Sequence, residues 1–473
     1  MKQIEELFEK YTHQKPDDIY ELPSSGSNRR YFRIRGGGIT LIGAAGTSIE
    51  ENIAFVEIDR HFMLKGLPVP KVLCMSDDKR YYLQEDLGDI TLFNHVAQGR
   101  ESGNYSDYEV GLLKKTIATL PKLQFEGGKG LDYSICFPQP EFDARMIFFD
   151  LNYFKYCFLK ATGLDFNEIK LQEDFHKLSL DLLKTVSGET FLYRDFQARN
   201  VMLVDDEPYF IDFQGGRKGP FYYDLASFVW QAKANYSEEL KEILIDTYIE
   251  ALKKYVEVPR DEFYRTLRIF VLFRTMQVLG AYGFRGYFEK KPHFLQSVPF
   301  AIDNLRKLIA NAPFDEYPHL NEIMVQLTNM RQFSDLRTEK KLEVKVFSFA
   351  YKKGIPLDES GNGGGYVFDC RAIENPGKYD HYKHFTGLDK EVIEFLEEDG
   401  GVIRFLDNIY DLADAHVKRY IERKFTSLMF CFGCTGGQHR SVYCAQHLAE
   451  HIAKKFNVKV KLYHREQGIE QEF

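Results

Sequence analysis

Between Tyr193 and Gln214 the chain reads YRDFQARNVMLVDDEPYFIDFQ, with Asp195 five positions ahead of Asn200 and Asp212 twelve positions beyond it. No other feature constrains the fold as tightly. A carboxylate, a carboxamide and a second carboxylate, set between short apolar runs, have to be gathered by one polar loop and the strands flanking it. Phosphoryl transfer needs such a set: a carboxylate to orient the attacking hydroxyl, and oxygen ligands to hold magnesium across nucleotide phosphates. Asp195, Asn200 and Asp212 can supply those groups. A solvated polar loop would have no use for this spacing.

The surroundings read as two architectures in series. From Ile19 to Gly88, strand patterns (IYEL, RYFRI, ITLIGA, PKVLCM, YYLQEDLG) surround one helical pattern that opens at Ser48–Glu51, the spacing of a capping box. This predicts a five-stranded lobe with one helix. Helical periods dominate residues 107–185 and 224–330, and the polar run RQFSDLRTEKK, residues 331–341, lacks apolar periodicity. Beyond it, LEVKVFSFAY, YVFDC and SLMFCFGC read as strands, with helices expected at about 389–398, 404–423 and 441–456. The expected organisation is therefore an α+β bilobal domain over 1–330 (small lobe about 1–90, helical lobe about 91–330), a linker at 331–341, and a smaller α/β domain over 342–473.

Composition excludes some partners. With 62 Lys and Arg against 70 Asp and Glu, the net charge is −8, which does not suit a chain that coats nucleic acid by bulk charge. No apolar run approaches a membrane span and the N-terminus carries charges where a signal peptide needs an apolar core, so a cytoplasmic protein without membrane contact is expected. Seven scattered cysteines fit reduced thiols better than a disulfide framework.

At Asp195, Asn200 and Asp212 the chain resembles the aminoglycoside phosphotransferase and choline kinase family, a branch of the protein-kinase-like fold. The strings SSGSNRRYFRI, LQEDLGD, YRDFQARN, IDFQGGRKGPFYYDLASFVW and RTMQVLGAYGF look most like the bacterial anomeric kinases of N-acetylmuramate and N-acetylglucosamine. Tyr193 stands where the family usually has His, and Gln214 where protein kinases have Gly. The resemblance implies ATP-dependent phosphorylation of a sugar, at the C1 hydroxyl of an amino sugar. Asp195 would then be the base or orienter, and Asn200 and Asp212 the magnesium ligands. Ser25, Gly26 and Ser27 would cover the phosphates with backbone N–H groups, and Gln84, Glu85 and Asp86 would form the hinge that meets adenine. The third strand, ITLIGAAG, has no lysine where most kinases place one for the α and β phosphates; Arg29 or Arg30 would have to replace it. Without a replacement the domain would be catalytically silent. Asp224 reads as structural, a cap for the helix it opens.

Near the C-terminus, FGCTGGQHRSVY spaces Cys434 and Arg440 by five residues and follows with Ser441, the signature spacing of tyrosine phosphatases. Backbone N–H groups in a Gly-rich turn at a helix N-terminus, closed by an arginine fork, form an anion cradle. Such a loop can hold a phosphate, cut one with a Cys434 thiolate, or, through Cys431 and Cys434, grip zinc. Zinc lacks a second ligand pair, and hydrolysis lacks an acid on a loop, since Asp407, Asp411 and Asp414 fall in a helical pattern. With SFAYKKGIPLD, YVFDCRAIENP and TGLDKEVIEFL, the loop resembles the C-terminal domain of the RNase adapter protein RapZ, over about residues 342–466. The resemblance implies a hexosamine-phosphate cradle from Cys434, Thr435, Gly436, Gly437, His439, Arg440 and Ser441, with Asp369 and Arg371 from a facing strand. Gln438 and Gly377 depart from it. It also implies RNA contact, against which stands the near balance of acidic and basic residues in this domain. Alternatives are a bifunctional kinase and phosphatase, or a non-catalytic sensor. The sequence does not choose between monomer and homo-oligomer.

Overall fold

A computed structural model describes residues 1–23, 29–185, 188–334, 342–358, 364–423 and 425–473. The chain divides into two compact units, Met1–Arg337 and Thr338–Phe473.

The first unit opens with helix α1 (Lys2–Thr12), which the strand-dominated reading of the small lobe did not foresee. Its apolar stripe of Ile4, Leu7 and Phe8 is buried against Phe32, Ile34, Leu41 and Leu83. Those residues lie on an antiparallel sheet of β1 (Asp18–Glu21), β2 (Arg30–Gly36), β3 (Ile39–Ala45), β4 (Val72–Met75) and β5 (Tyr81–Glu85), in the order β1-β2-β3-β5-β4. Gly37 and Gly38, with φ of 61° and 80°, make the two-residue turn joining β2 to β3; a side chain at either would be strained. Helix α2 (Ile49–Leu64) covers the other face through Phe55, Ile58 and Phe62. Ser48 caps it by accepting the Glu51 N–H at 3.2 Å. The Glu51 side chain is engaged elsewhere, with Arg29.

The helical lobe shares its core with α2, so one apolar cluster runs between the lobes. Its helices include Asp107–Gly128, Ala144–Phe154, Glu168–Leu183, Glu238–Leu252, Arg260–Gly283, Val298–Asn311 and Pro318–Asn329. Two short antiparallel strand pairs interrupt them: β6 (Phe191–Leu192) with β9 (Arg217–Lys218), and the hairpin of β7 (Val201–Val204) with β8 (Glu207–Phe210). Residues 331–334 form a short helix rather than linker, with Phe333 buried and stacked on Phe158 at 5.8 Å. The rest of the expected linker lies outside the described residues.

The second unit is a five-stranded mixed sheet in the order β11-β12-β10-β13-β14. Strands β10 (Glu343–Ala350), β11 (Tyr366–Asp369), β12 (Ser427–Cys434) and β13 (Lys459–His464) are parallel, and β14 (Ile469–Glu472) is antiparallel at the edge. Helices Lys390–Glu397, Gly401–Glu422 and Arg440–Lys455 pack Val392, Leu396, Leu406, Val417 and Leu448 against Val344, Val346, Phe430 and Phe432. The β13–β14 hairpin was not foreseen.

Candidate functional site

The D-x4-N…D spacing has a simple structural origin. Strands β7 and β8 pair Val201 with Phe210 around a two-residue turn, Asp205 and Asp206, both at positive φ. The ladder carries Asn200 alongside Ile211, whose N–H donates to the Asn200 carbonyl at 3.1 Å. Asn200 and Asp212 are thereby neighbours: the Asn200 amide donates to Asp212 Oδ2 at 3.2 Å and to the Asp195 carbonyl at 2.9 Å. Gln214 donates to the other Asp212 oxygen at 2.7 Å. Burial raises the Asp212 carboxyl above its ordinary range and the Asp195 charge adds to this, against the Gln214 hydrogen bond.

Buried groups fix the loop carrying Asp195. Asp224 is fully buried, receives the N–H groups of Tyr193 and Arg194 at 2.8 and 2.9 Å, and takes the Gln124 amide at 3.1 Å. It does not cap its helix, whose N-cap is Phe221; it clamps the loop instead. Burial, only partly offset by those hydrogen bonds, pushes its carboxyl up to about 6. The Tyr193 hydroxyl donates to the Ile211 carbonyl, tying the loop to the residue before Asp212. Arg194, at φ 82°, forks onto Asp150 at 2.7 and 2.8 Å.

Arg274, in the helix Arg260–Gly283, was not among the expected site residues. It is buried, touches Ser227, Tyr223 and Gln277, and donates to Asp195 Oδ1 at 3.2 Å. Burial alone would raise the Asp195 carboxyl; the charges of Arg274, Arg194 and Arg199 outweigh it and hold the group below its usual range, ionised. A charged residue amid IFVLFRTMQVL is the signal that could have found it, because a buried guanidinium requires a partner.

Asp195, Asn200 and Asp212 line a cleft of ≈ 1140 Å³ between the sheet and the helical lobe. Gln84, Glu85 and Asp86 line it too, at the end of β5. Asp86 is also a clamp: its carboxylate pairs with Arg33 Nε at 2.7 Å and accepts the Gly88 N–H at 2.9 Å. Arg29 reaches the cleft. Arg30 does not: it lies on the opposite, α1-facing side of β2 and forks onto Glu21 at 2.7 and 2.6 Å. Ser25, Gly26 and Ser27 lie outside the described residues. Among the described residues, no three His, Cys, Asp or Glu side chains form a metal-holding group.

In the second unit, the CTGGQHRS loop joins β12 to the helix Arg440–Lys455 at the carboxyl ends of the parallel strands, where α/β sheets hold ligands. The Cys434 sulfur takes the Gly437 N–H at 3.1 Å and lies 3.1 Å from the Ser441 hydroxyl. Burial raises its thiol, but Ser441, the Gly437 N–H and Arg440 together bring it below the ordinary value. Gly437 has φ 67°, and a Cβ there would lie 2.8 Å from the Ala350 nitrogen. Thr435 and Gly436 are exposed. His439 is a strut, its Nε2 3.0 Å from the Tyr382 carbonyl. One terminal nitrogen of Arg440 donates to the Arg371 and Ile373 carbonyls, both at 2.9 Å, while its buried Nε has no partner among the described residues. Asp369 and Arg371, at the end of neighbouring β11, pair with each other at 2.7 Å. Cys431 is sealed inside the sheet.

Residues 18–260, just over half of the chain, match the profile of the phosphotransferase enzyme family. The chain belongs to that family. The fold of this chain is accordingly kinase-like and bilobal, followed by the smaller α/β domain, and residues 342–468 match the RapZ C-terminal domain. Curated relatives described as nucleotide-binding proteins include one from Fervidobacterium nodosum, 37% identical over 139 residues (29% of this chain, 47% of the relative). Another, from Petrotoga mobilis, is 42% identical over 127 residues (27% and 42%). The chain thus spans about half the length of the curated relatives it matches. Solved structures similar to it include a thermostable mutant of aminoglycoside phosphotransferase APH(4)-Ia (15% identity, TM-score 0.43, 65% of this chain and 99% of that one). A choline kinase from Cryptosporidium parvum gives 12% identity, TM-score 0.44, and 68% and 99% coverage.

Proposed function

We propose that the first unit transfers the γ-phosphate of ATP to the anomeric hydroxyl of an amino sugar, and that the second unit binds a sugar phosphate. The observation that carries the first part is the convergence of an ionised Asp195, Asn200 and Asp212 on one cleft. In this reading Asp195 orients an acceptor hydroxyl and takes its proton, and Arg274, which donates to Asp195 Oδ1, keeps the carboxylate charged and aimed. Asp212 and Asn200 fit a magnesium ion that arrives with its nucleotide, because magnesium commonly takes only one or two protein oxygens and completes its shell with phosphates and water. When bound, that ion neutralises charge developing on the transferred group. Gln84 lines the cleft, and its buried Oε1 has no hydrogen-bond partner among the described residues, an acceptor suited to an adenine amino group.

ADP production over a panel of N-acetylated and free hexosamines, hexoses and aminoglycosides tests this. Turnover confined to amino sugars, with phosphate on C1, is expected; no turnover with any of them overturns the kinase reading in favour of a silent sensor domain. For the second unit, the lowered Cys434 thiol supports a specific rival, a phosphatase acting through that thiolate. The binding reading expects no phosphate release from glucosamine-6-phosphate or a sugar 1-phosphate, and release that vanishes in Cys434→Ser overturns it.

A further inference from the structure

We propose that Arg29, held by Glu51, supplies the cation that grips the nucleotide phosphates, a role the lysine-free strand β3 cannot fill. The proposal rests on the ATP reading of the cleft and adds the residue that makes the small lobe competent for it.

The strand geometry selects Arg29. Register pairs Tyr31 with Ala44 and Arg33 with Ile42, so Arg29, Tyr31 and Arg33 point to one face of β2, together with Ile42 and Ala44 of β3. That face is the cleft face: Arg29, Tyr31, Arg33 and Ile42 all line the cavity. The β3 residues on it are Thr40, Ile42 and Ala44, none of which carries charge, and Arg35, opposite Thr40, does not line the cavity. Arg33 is committed to Asp86, Asp89 and the Gly88 carbonyl. Arg29 is therefore the cation that the sheet presents beside Glu51 and Asn52 of α2.

Its setting is built. The side chain is 3% exposed, its guanidinium lies 3.3 Å from the Glu51 carboxylate, and it sits over the rings of Phe55 and Tyr82 at 5.7 and 5.9 Å. Phe55 in turn stacks on Phe213, the residue after Asp212, at 4.8 Å. One packed column thus joins the guanidinium to the candidate metal ligand. Glu51 follows the helix cap by three residues, so its carboxylate leaves the capping position to orient a cation at the edge of the cleft. A desolvated guanidinium gains more from an anion than an exposed one does, and its fork suits two phosphate oxygens.

Binding of adenosine, AMP, ADP and ATP, titrated calorimetrically on the full chain, tests the assignment, because a phosphate contact and a structural strut give different profiles. Arg29→Met is expected to weaken ADP and ATP by about 10- to 100-fold while adenosine changes by less than about threefold. Arg29→Lys should recover most of the loss, and Glu51→Gln should give a smaller loss with the same selectivity for phosphates. Should Arg29→Met fail to fold, the last two variants carry the same comparison, Glu51 being one-third exposed. Undiminished ADP binding in Arg29→Met, or equal weakening of adenosine and ADP in a folded variant, overturns the role of Arg29 alone. Wild-type protein that binds none of the four overturns the nucleotide reading and this assignment with it.

Discussion

At the scale of single residues, the Asp195 carboxylate accepts from Arg274 and faces the cleft, so its removal should affect chemistry and leave nucleotide binding intact. Asp195→Asn is expected to lower kcat by about 10²- to 10⁴-fold with the KM for ATP nearly unchanged, as measured by steady-state kinetics. A matching loss of ATP affinity would move Asp195 out of the acceptor side. In the second unit, a binding cradle depends on the arginine and not on the thiol. Arg440→Ala should weaken glucosamine-6-phosphate by roughly 1.5 to 3 kcal/mol, and Cys434→Ser by no more than a few-fold, both by calorimetry. Part of the Arg440 loss will be preorganisation, since its guanidinium also holds the Arg371 and Ile373 carbonyls. The contact of Asn200 with Asp212 was legible because the β7–β8 hairpin converts sequence spacing into proximity. Arg274 was not, because nothing local shows what a lone arginine in an apolar helix will meet. The choice of Arg29 over Arg30 was within reach of the sequence: Phe32 and Ile34 share the face of Arg30, and a strand's apolar side marks the core.

At the scale of elements, α1 and the β13–β14 hairpin escaped the sequence reading for related reasons. The buried triplet Ile4, Leu7 and Phe8 is too short a stripe to signal a docked helix, and KVKLYH alternates lysines with apolar residues at the chain's end. Strand β13 nonetheless brings in a buried group that links three elements. His464 is fully buried, with Nδ1 2.9 Å from the Ser348 hydroxyl of β10 and Nε2 3.0 Å from Gln446 of the helix Arg440–Lys455. Burial depresses its imidazolium to about 4 from an ordinary 6.5. Between those values the unfolded chain binds a proton that the folded unit refuses, so stability rises with pH across that window and is lost as pH falls through it. Acidification from pH 7 to 4 should cost the second unit up to roughly 3 kcal/mol from this residue. Melting curves at pH 7, 6, 5 and 4 check it: His464→Gln should flatten the slope in that window, and an unchanged slope would assign the acid sensitivity elsewhere.

At the scale of the whole molecule, each unit has its own apolar core. One runs from Ala44 to Phe333, with a satellite under α1, and the other from Leu342 to Leu462. Two cores of this size are two cooperative units, so thermal unfolding should show two transitions. The two candidate sites fall in different units, and each ligand stabilises only the unit whose folded state binds it. A ligand at 100 times its Kd adds about 2.7 kcal/mol. Mg-ADP should therefore raise the transition of the kinase-like unit, and glucosamine-6-phosphate that of the RapZ-like unit, in differential scanning calorimetry. Arg440→Ala removes the second shift and spares the first; Asp212→Ala does the reverse, because it deletes the carboxylate proposed to hold the metal. If either ligand moves both transitions in the wild type, the sites are energetically coupled. The coupling is then reciprocal: sugar phosphate must change the affinity for Mg-ADP by the same factor that Mg-ADP changes the affinity for sugar phosphate. That outcome would make the second unit a regulator of the first, whereas strictly separate shifts would make it an independent binding module carried on the same chain.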